Sequence, residues 1–316
     1  MGKTIKIRVP GTSANCGPGF DSLGVSCTIY NDLELTLLHE SELQIFVEGE
    51  GVDNIPTDDR NLAWKSIQTL LRHCKAEEEY KGAIIRMKNG IPLSRGLGSS
   101  AAAIVGALKA ANVLLGNPLD RRGLLKIATD LEGHPDNVAP AIFGGFTVSL
   151  LNDGIPECFS FMPRLLLNLV VAVPDFHLST KAARSALPLD VPLKDAVFNV
   201  GRAALLVGAL LKGNAAFLRN AFDDALHQPY RAKLIPGMYD VFRAAKEAGA
   251  LGVAMSGAGP CIIAFTTDSM DAIGHAMKEA FHRNYKRYIN LYLLLSKVHN
   301  LFDMFFHHLL CLIERI

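Results

Sequence analysis

The stretch Ile91-Pro92-Leu93-Ser94-Arg95-Gly96-Leu97-Gly98-Ser99-Ser100-Ala101-Ala102 limits the fold more than any other segment of the chain. A strand-like run, Ala83 to Lys88, leads into it, and an apolar, alanine-rich segment that reads as a helix leads out. Gly96 and Gly98 tolerate positive φ and let the backbone approach a ligand closely, while the first N–H groups of a helix have no partners within it. Strand, glycine loop and helix in that order make a cradle for phosphate. Ser99 and Ser100 add hydroxyls that can bond phosphate oxygens or reach a bound Mg²⁺ through one oxygen. A Gly/Ser loop that only caps a helix has the same local sequence, so the choice between the two rests on the rest of the chain.

At 316 residues the chain is longer than the span at which single cores stop growing, about 250–300 residues, and two domains are expected. Lys+Arg of 32 against Asp+Glu of 31 leaves a formal net charge of +1, no overall field for nucleic acid or an anionic membrane. A small-molecule role fits that balance. The six cysteines (Cys16, Cys27, Cys74, Cys158, Cys261 and Cys311) include no C-x-x-C pair and no histidine placed to complete a zinc site. They read as buried thiols in a reducing, cytoplasmic compartment. The amino terminus, Met1 to Val9, alternates polar and apolar residues as a first strand does and lacks the apolar core of a signal peptide. Lys6 stands where a myristoylation signal requires Ser or Thr.

Residues 10–24 are dense in Gly, Pro and small polar residues and are expected to form a long irregular loop. Asn15 and Asp21 are its candidates for holding a polar ligand, or else they satisfy their own backbone as turn residues. The runs 32–37 and 42–47 alternate at period two around a short polar connection and suggest an antiparallel pair. Asn61 is placed to cap a helix running to about His73; an Asn ahead of the lone Trp64 could also border an adenine pocket. After the glycine loop the helix is expected to end at Gly116, and the next to begin with Asn117 as N-cap, Pro118 in the first helical position and Asp120 in the first turn. Leu124, Leu125, Ala128 and Leu131 share a face of that second helix, whose last acidic residue is Glu132, directly before Gly133. A carboxylate there opposes the helix dipole, and a cation is its natural compensation. His134, Asp136 and Asn137 follow at once, three polar side chains packed ahead of an apolar strand entry: a site, or an ordinary polar turn.

A strand from Gly145 to Leu151 and the turn at 152–156 suggest a division into residues 1–155 and 156–284. Leu165 to Val173 reads as a buried strand, and helices are expected at 193–212 and 214–226. Arg184 can clamp a carboxylate bidentately, and Arg231 and Lys233 lie in the linker after the helices. A second glycine loop, within 251–265, sits between two short apolar strands, either as a tight hairpin or as backbone packed against the first loop.

Three motifs therefore stand in order: Pro-Gly-Thr-Ser-Ala-Asn-x-Gly-Pro-Gly-Phe-Asp from Pro10, Pro-x-x-x-Gly-Leu-Gly-Ser-Ser-Ala-Ala from Pro92, and Ser-Gly-Ala-Gly-Pro from Ser256. Together they resemble the GHMP kinase superfamily over about residues 3–283. The stretches His134–Pro140, Ser179–Arg184 and Tyr230–Gly237 are similar to the versions found in its homoserine kinase branch. The resemblance implies an α+β, two-domain GHMP kinase fold: a ribosomal protein S5 domain 2-like amino-terminal domain with a left-handed β-α-β unit, and a ferredoxin-like carboxyl-terminal domain. It also implies ATP-dependent phosphorylation of the side-chain hydroxyl of L-homoserine, for threonine synthesis, with ATP and Mg²⁺. By the same resemblance Pro92, Leu93, Ser94, Arg95, Gly96, Leu97, Gly98, Ser99, Ser100, Ala101 and Ala102, with Asn61, hold the nucleotide, and Ser100 and Glu132 meet Mg²⁺. Asn15, Asp21, His134, Asp136, Asn137, Thr180, Arg184 and Arg231 surround the amino acid; Asn137 orients its hydroxyl, and Asp136 is the one candidate base. A mevalonate-type kinase and a nucleotide-binding protein without catalysis are the alternatives.

From about Tyr285 the family pattern breaks, and the tail 285–316 does not look like the family's closing strand. Lys297, Asp303 and the pair His307-His308 interrupt it, so no membrane span is expected. The expectation is an altered terminus that removes the last strand and exposes apolar residues; the alternative is an amphipathic helix that makes homodimer contacts.

Overall fold

The computed structural model describes residues 3–284 and, as backbone, 292–297. Strand β1 (Thr4–Ala14) runs antiparallel to the long β2 (Leu23–Leu38), with a register shift between Pro10 and Gly11. The expected irregular loop over 10–24 is thus shorter: residues 10–14 pair as strand, and the loop begins at Asn15. There the backbone turns left-handed, with φ of 70° at Asn15, 46° at Cys16 and 55° at Asp21.

Strand β3 (Leu43–Gly49), helix α1 (Leu62–His73) and strand β4 (Gly82–Asn89) form a β-α-β unit in which β3 and β4 are parallel, and β4 is antiparallel to β2. The expected direct pairing of β2 with β3 is corrected by this order, because β4 lies between them. Period-two alternation identifies a strand and its buried face but carries no information on its neighbour. Asn61 caps α1: its Oδ1 accepts from the N–H groups of Ala63 at 2.9 Å and Trp64 at 3.4 Å, and Trp64 is core.

Helices α2 (Ser99–Leu114), α3 (Arg121–Glu132) and α4 (Pro135–Phe143) follow, then β5 (Phe146–Asn152) and β6 (Ile155–Phe161). The N-cap of α3 is Asp120, whose Oδ1 accepts from Gly123 N–H at 2.8 Å, and not Asn117. Asn117 has φ 62° and donates its N–H to Asn112 O, closing α2 instead. The 152–156 turn joins β5 to β6 within one sheet, of order β3-β4-β2-β5-β6 with β1 on β2. A division at 155/156 would therefore cut a hairpin.

The second sheet is built from β7 (Asn168–Val173), β8 (Gly252–Met255), β9 (Ile262–Thr266) and β10 (Tyr292–Lys297), in the order β10-β7-β9-β8 and antiparallel throughout. Helices α5 (Thr180–Ser185), α6 (Leu193–Lys212), α7 (Ala215–Leu218), α8 (Gln228–Arg231) and α9 (Met238–Glu247) connect β7 to β8, and α10 (Met270–Asn284) connects β9 to β10. This β-α-β-β-α-β order with strands 4-1-3-2 is the ferredoxin-like arrangement. The helix expected over 214–226 is only the four residues of α7, because Asp224 turns its carboxylate onto the N–H groups of Leu226, His227 and Gln228 and starts α8. The expectation of a missing last strand is corrected too. Residues 292–297 pair along β7 from Tyr292↔Val173 to Lys297↔Asn168, so the tail itself supplies the fourth strand. The dimer-helix alternative concerns residues outside those described.

Burial explains the unbroken apolar run of β7. Leu169, Val171 and Val173 join Phe146, Phe222 and Phe265 in a core shared with the first sheet, while Val170 and Ala172 face a second core under α9 and α10. A strand covered on both faces needs no polar alternation. Among the described residues no helix is long and apolar enough to cross a membrane.

Candidate active site

A cavity of about 470 Å³ opens between the two sheets' loops, and the glycine loop forms its floor. Ser94, Gly96 and Gly98 take φ values of 53°, 82° and 69°, and Gly98 is the N-cap of α2 with no side chain capping the helix. The first N–H groups of α2 are thus left for an anion, at the positive end of its dipole. The second glycine loop holds this floor in place: Ser256 Oγ donates to Gly96 O at 2.6 Å, and Cys261 N–H donates to Arg95 O at 3.2 Å. Both readings of that loop are observed: it joins β8 to β9 as a hairpin, and its backbone packs against the first loop. A Cβ on Gly96 would lie 2.0 Å from Ser256 O. Gly96→Ala is expected to cost at least about 1–3 kcal/mol from the positive φ alone, seen as a lower melting temperature together with weaker ATP binding.

Pro92, Leu93, Ser94, Gly96, Leu97, Gly98, Ser99 and Ser100 line the cavity, as does Asn61. Three residues expected to hold nucleotide do not line the cavity with their side chains. Arg95 turns its side chain toward Asp175, 3.7 Å away, and Ala101 and Ala102 point into the core from the inner face of α2.

Above the start of α2, Ser100 Oγ donates to Glu132 Oε1 at 2.8 Å. Burial pushes the Glu132 carboxyl above its ordinary range, with the Ser100 hydrogen bond and the charge of His134 pulling the other way. A carboxylate oxygen and a hydroxyl oxygen are hard donors that suit Mg²⁺, which takes one or two protein ligands and completes its shell with substrate phosphates and water. Asp136, buried, accepts from His134 Nδ1 across a short contact. Burial disfavours the imidazolium, but the Asp136 bond and the charges of Asp136 and Glu132 outweigh it and raise the His134 pKa. The stabilisation is present at pH below the ordinary histidine value and is lost as pH rises through the raised one. Comparing melting temperatures of the wild type and His134→Gln at pH 6 and pH 9 should show a gap that narrows at the higher pH. Asn137 lines the cavity on the first turn of α4.

The far side of the cavity is rich in charge. Arg184 forks onto Asp21, Nη1 to Oδ2 at 3.0 Å and Nη2 to Oδ1 at 2.8 Å. Arg231 is buried, donating through Nε to Ala183 O at 3.1 Å and through Nη1 to Gly257 O at 3.4 Å. Among the described residues no carboxylate is within ion-pairing distance of it. Burial, with the nearby Arg184 charge, pushes its pKa down to about 10. Both guanidinium groups lie over the Phe20 ring, Arg184 Cζ 5.6 Å and Arg231 Cζ 5.1 Å from its centroid. Thr180 completes this wall from the start of α5. Asn15 lines the cavity as well, but its amide is engaged on both sides, accepting from Asp21 N–H at 3.0 Å and donating to Gly257 O at 2.9 Å. The amide of Asn61 is likewise taken up by the α1 cap and by Pro56 O.

Several lining residues were not legible in sequence. Ile55, Leu62 and Met87 line the cavity with apolar atoms, and Asn89 lines it too, its Oδ1 buried without a hydrogen-bond partner among the described residues. They come from a loop, a helix start and a strand, and none carries a motif.

The family models for the GHMP kinases match this chain twice, the N terminal domain over residues 61–145 and the C terminal over 203–283. The chain belongs to the GHMP kinases, a family of phosphotransferases that take ATP as substrate. Relatives at 39–47% identity over most of the chain are homoserine kinases, and solved structures that share the fold include mevalonate and phosphomevalonate kinases. The homoserine kinase of Moorella thermoacetica is 44% identical over 279 residues, 88% of this chain and 92% of its own length. That of Gloeobacter violaceus is 47% identical over 275 residues, 86% of this chain and 91% of its own. The crystal structure of homoserine kinase from Cytophaga hutchinsonii superposes with a TM-score of 0.85 at 32% identity, covering 94% of this chain and 96% of that one.

Proposed function

We propose that the protein transfers the γ-phosphoryl group of ATP to the side-chain hydroxyl of L-homoserine, giving O-phospho-L-homoserine and ADP. The observation that carries the reading is Arg231: a buried guanidinium with no carboxylate paired to it among the described residues, set near Asp21 and Arg184 in the cavity that holds the phosphate loop. A zwitterionic amino acid supplies the missing anion and offers an ammonium to Asp21. Mevalonate has a carboxylate but no ammonium and would leave Asp21 without a ligand partner.

Glu132 and Ser100 would hold Mg²⁺, which when bound neutralises charge on the β- and γ-phosphates. The N–H groups at the start of α2 receive the phosphate oxygens. Asn137 orients the acceptor hydroxyl, whose oxygen bonds to the γ-phosphorus as the bond to the bridging oxygen of ADP breaks; the hydroxyl proton passes to solvent. Asp136 is engaged by His134, and a loose transition state needs little help from a base. Positioning and charge neutralisation supply most of the rate. We place the enzyme in a reducing cytoplasm, in keeping with its free cysteines. The two folding units divide, in this reading, at 162–167, between the last strand of the first sheet and β7.

A coupled ADP-release assay with MgATP and a panel of L-homoserine, mevalonate, galactose and shikimate tests the assignment. Turnover with homoserine alone is expected. Turnover with another acceptor and none with homoserine would refute it.

A further inference from the structure

Thr12 lies in β1 behind the cavity wall and is fully buried. Its hydroxyl donates to Asn137 Oδ1 at 2.9 Å, across 125 positions of sequence, and its N–H donates to Leu97 O in the phosphate loop at 3.0 Å. The next turn of that loop rests on the same hydroxyl: a Cβ on Gly98 would sit 1.9 Å from Thr12 Oγ1 and 3.2 Å from Asn137 Oδ1. One strand residue therefore touches both the loop that carries the phosphoryl donor and the amide that faces the acceptor.

We infer that Thr12 is a positioning residue for phosphoryl transfer, setting the Asn137 amide against the phosphate loop. The inference rests on the proposed role of Asn137 in orienting the acceptor hydroxyl. Among the described residues Asn137 is the hydrogen-bond partner of Thr12 Oγ1. Were the amide reversed, its NH₂ would donate to Thr12 and the buried hydroxyl proton would have no acceptor, so the bond selects one orientation. The amide oxygen is turned to Thr12, and the NH₂ end is left for the substrate oxygen. The branched Cβ of threonine adds rigidity, because its methyl group restricts χ1. The neighbouring Ser13 strengthens the frame, its Oγ 2.8 Å from Ser256 Oγ on the second glycine loop.

The test separates positioning from packing. Thr12→Val keeps the shape and removes the donor; Thr12→Ser keeps the donor. Thr12→Val is expected to lower kcat for transfer to homoserine by about 10- to 100-fold, the scale of a small misplacement of reacting groups. The KM for ATP and the slow hydrolysis of ATP without homoserine are expected to stay within about twofold of wild type, so the ratio of transfer to hydrolysis falls. Thr12→Ser should recover most of that ratio. In an Asn137→Ala background Thr12→Val should add almost nothing, since both changes remove one interaction. An impaired Asn137→Ala beside a Thr12→Val enzyme with wild-type transfer overturns the inference. So do fully additive losses, or transfer and hydrolysis falling together. A neutral Asn137→Ala overturns both the inference and the role of Asn137, while leaving the homoserine assay to decide the function. If Thr12→Val does not fold, Thr12→Cys, close in volume and a weak donor, is measured on the same two rates with the same overturning outcomes.

Discussion

Glu132→Ala is expected to lower kcat by about 10²–10³-fold while leaving the protein as stable as wild type or more so. The loss follows from its place beside the start of α2, where, on the proposed reading, its carboxylate and Ser100 Oγ would be the donor pair for Mg²⁺. The unchanged or higher stability follows from the helix. Glu132 is the last residue of α3, against the negative end of the dipole, and burial raises its pKa. A charged group held in that position weakens the folded state and is retained for what it does. Steady-state kinetics across a Mg²⁺ titration, with a melting curve for each variant, checks both halves. Glu132→Asp should recover part of the rate at raised Mg²⁺. A kcat within about threefold of wild type would remove Glu132 from the metal site, and a large fall in melting temperature would make its role structural.

Arg231→Met is expected to raise the KM for homoserine by about 10²–10³-fold and to leave the KM for ATP nearly unchanged. Loss of a buried charge partner costs about 2–5 kcal/mol of binding, which is the source of that range. Methionine keeps the unbranched apolar stem under Phe20 and loses the fork. Arg231→Lys should not restore wild-type binding, because a point charge cannot reproduce two parallel N–H bonds to a carboxylate. Some stability is also lost, since Arg231 ties Ala183 O to Gly257 O. The decisive comparison is therefore the KM for homoserine against the KM for ATP, measured on folded protein. An unchanged homoserine KM would leave Arg231 a structural tie alone.

The parts of the site that could be read in sequence are those built from contiguous residues. The phosphate loop, the cap at Asn61 and the misplaced carboxylate of Glu132 each state their own local physics, and each stands where that physics puts it. What lay beyond sequence is pairing. β4 inserts between β2 and β3 because the β-α-β unit brings it back parallel, and alternation alone cannot report that. The Thr12 bond to Asn137 and the Ser256 bond to Gly96 join residues far apart in the chain, and the apolar lining from Ile55, Leu62 and Met87 has the composition of ordinary core. The tail shows the opposite error. A tail sequence unlike the family's predicts the loss of the last strand, yet strand pairing runs through backbone N–H and C=O groups, and 292–297 supplies them along β7.

The most direct measurement is a ³¹P NMR time course of the purified protein with MgATP and L-homoserine. The account predicts ADP and one new phosphomonoester growing in equal amounts, the new signal split into a triplet by the two protons of the neighbouring CH₂. ADP accompanied only by orthophosphate, or a spectrum that does not change, would contradict it.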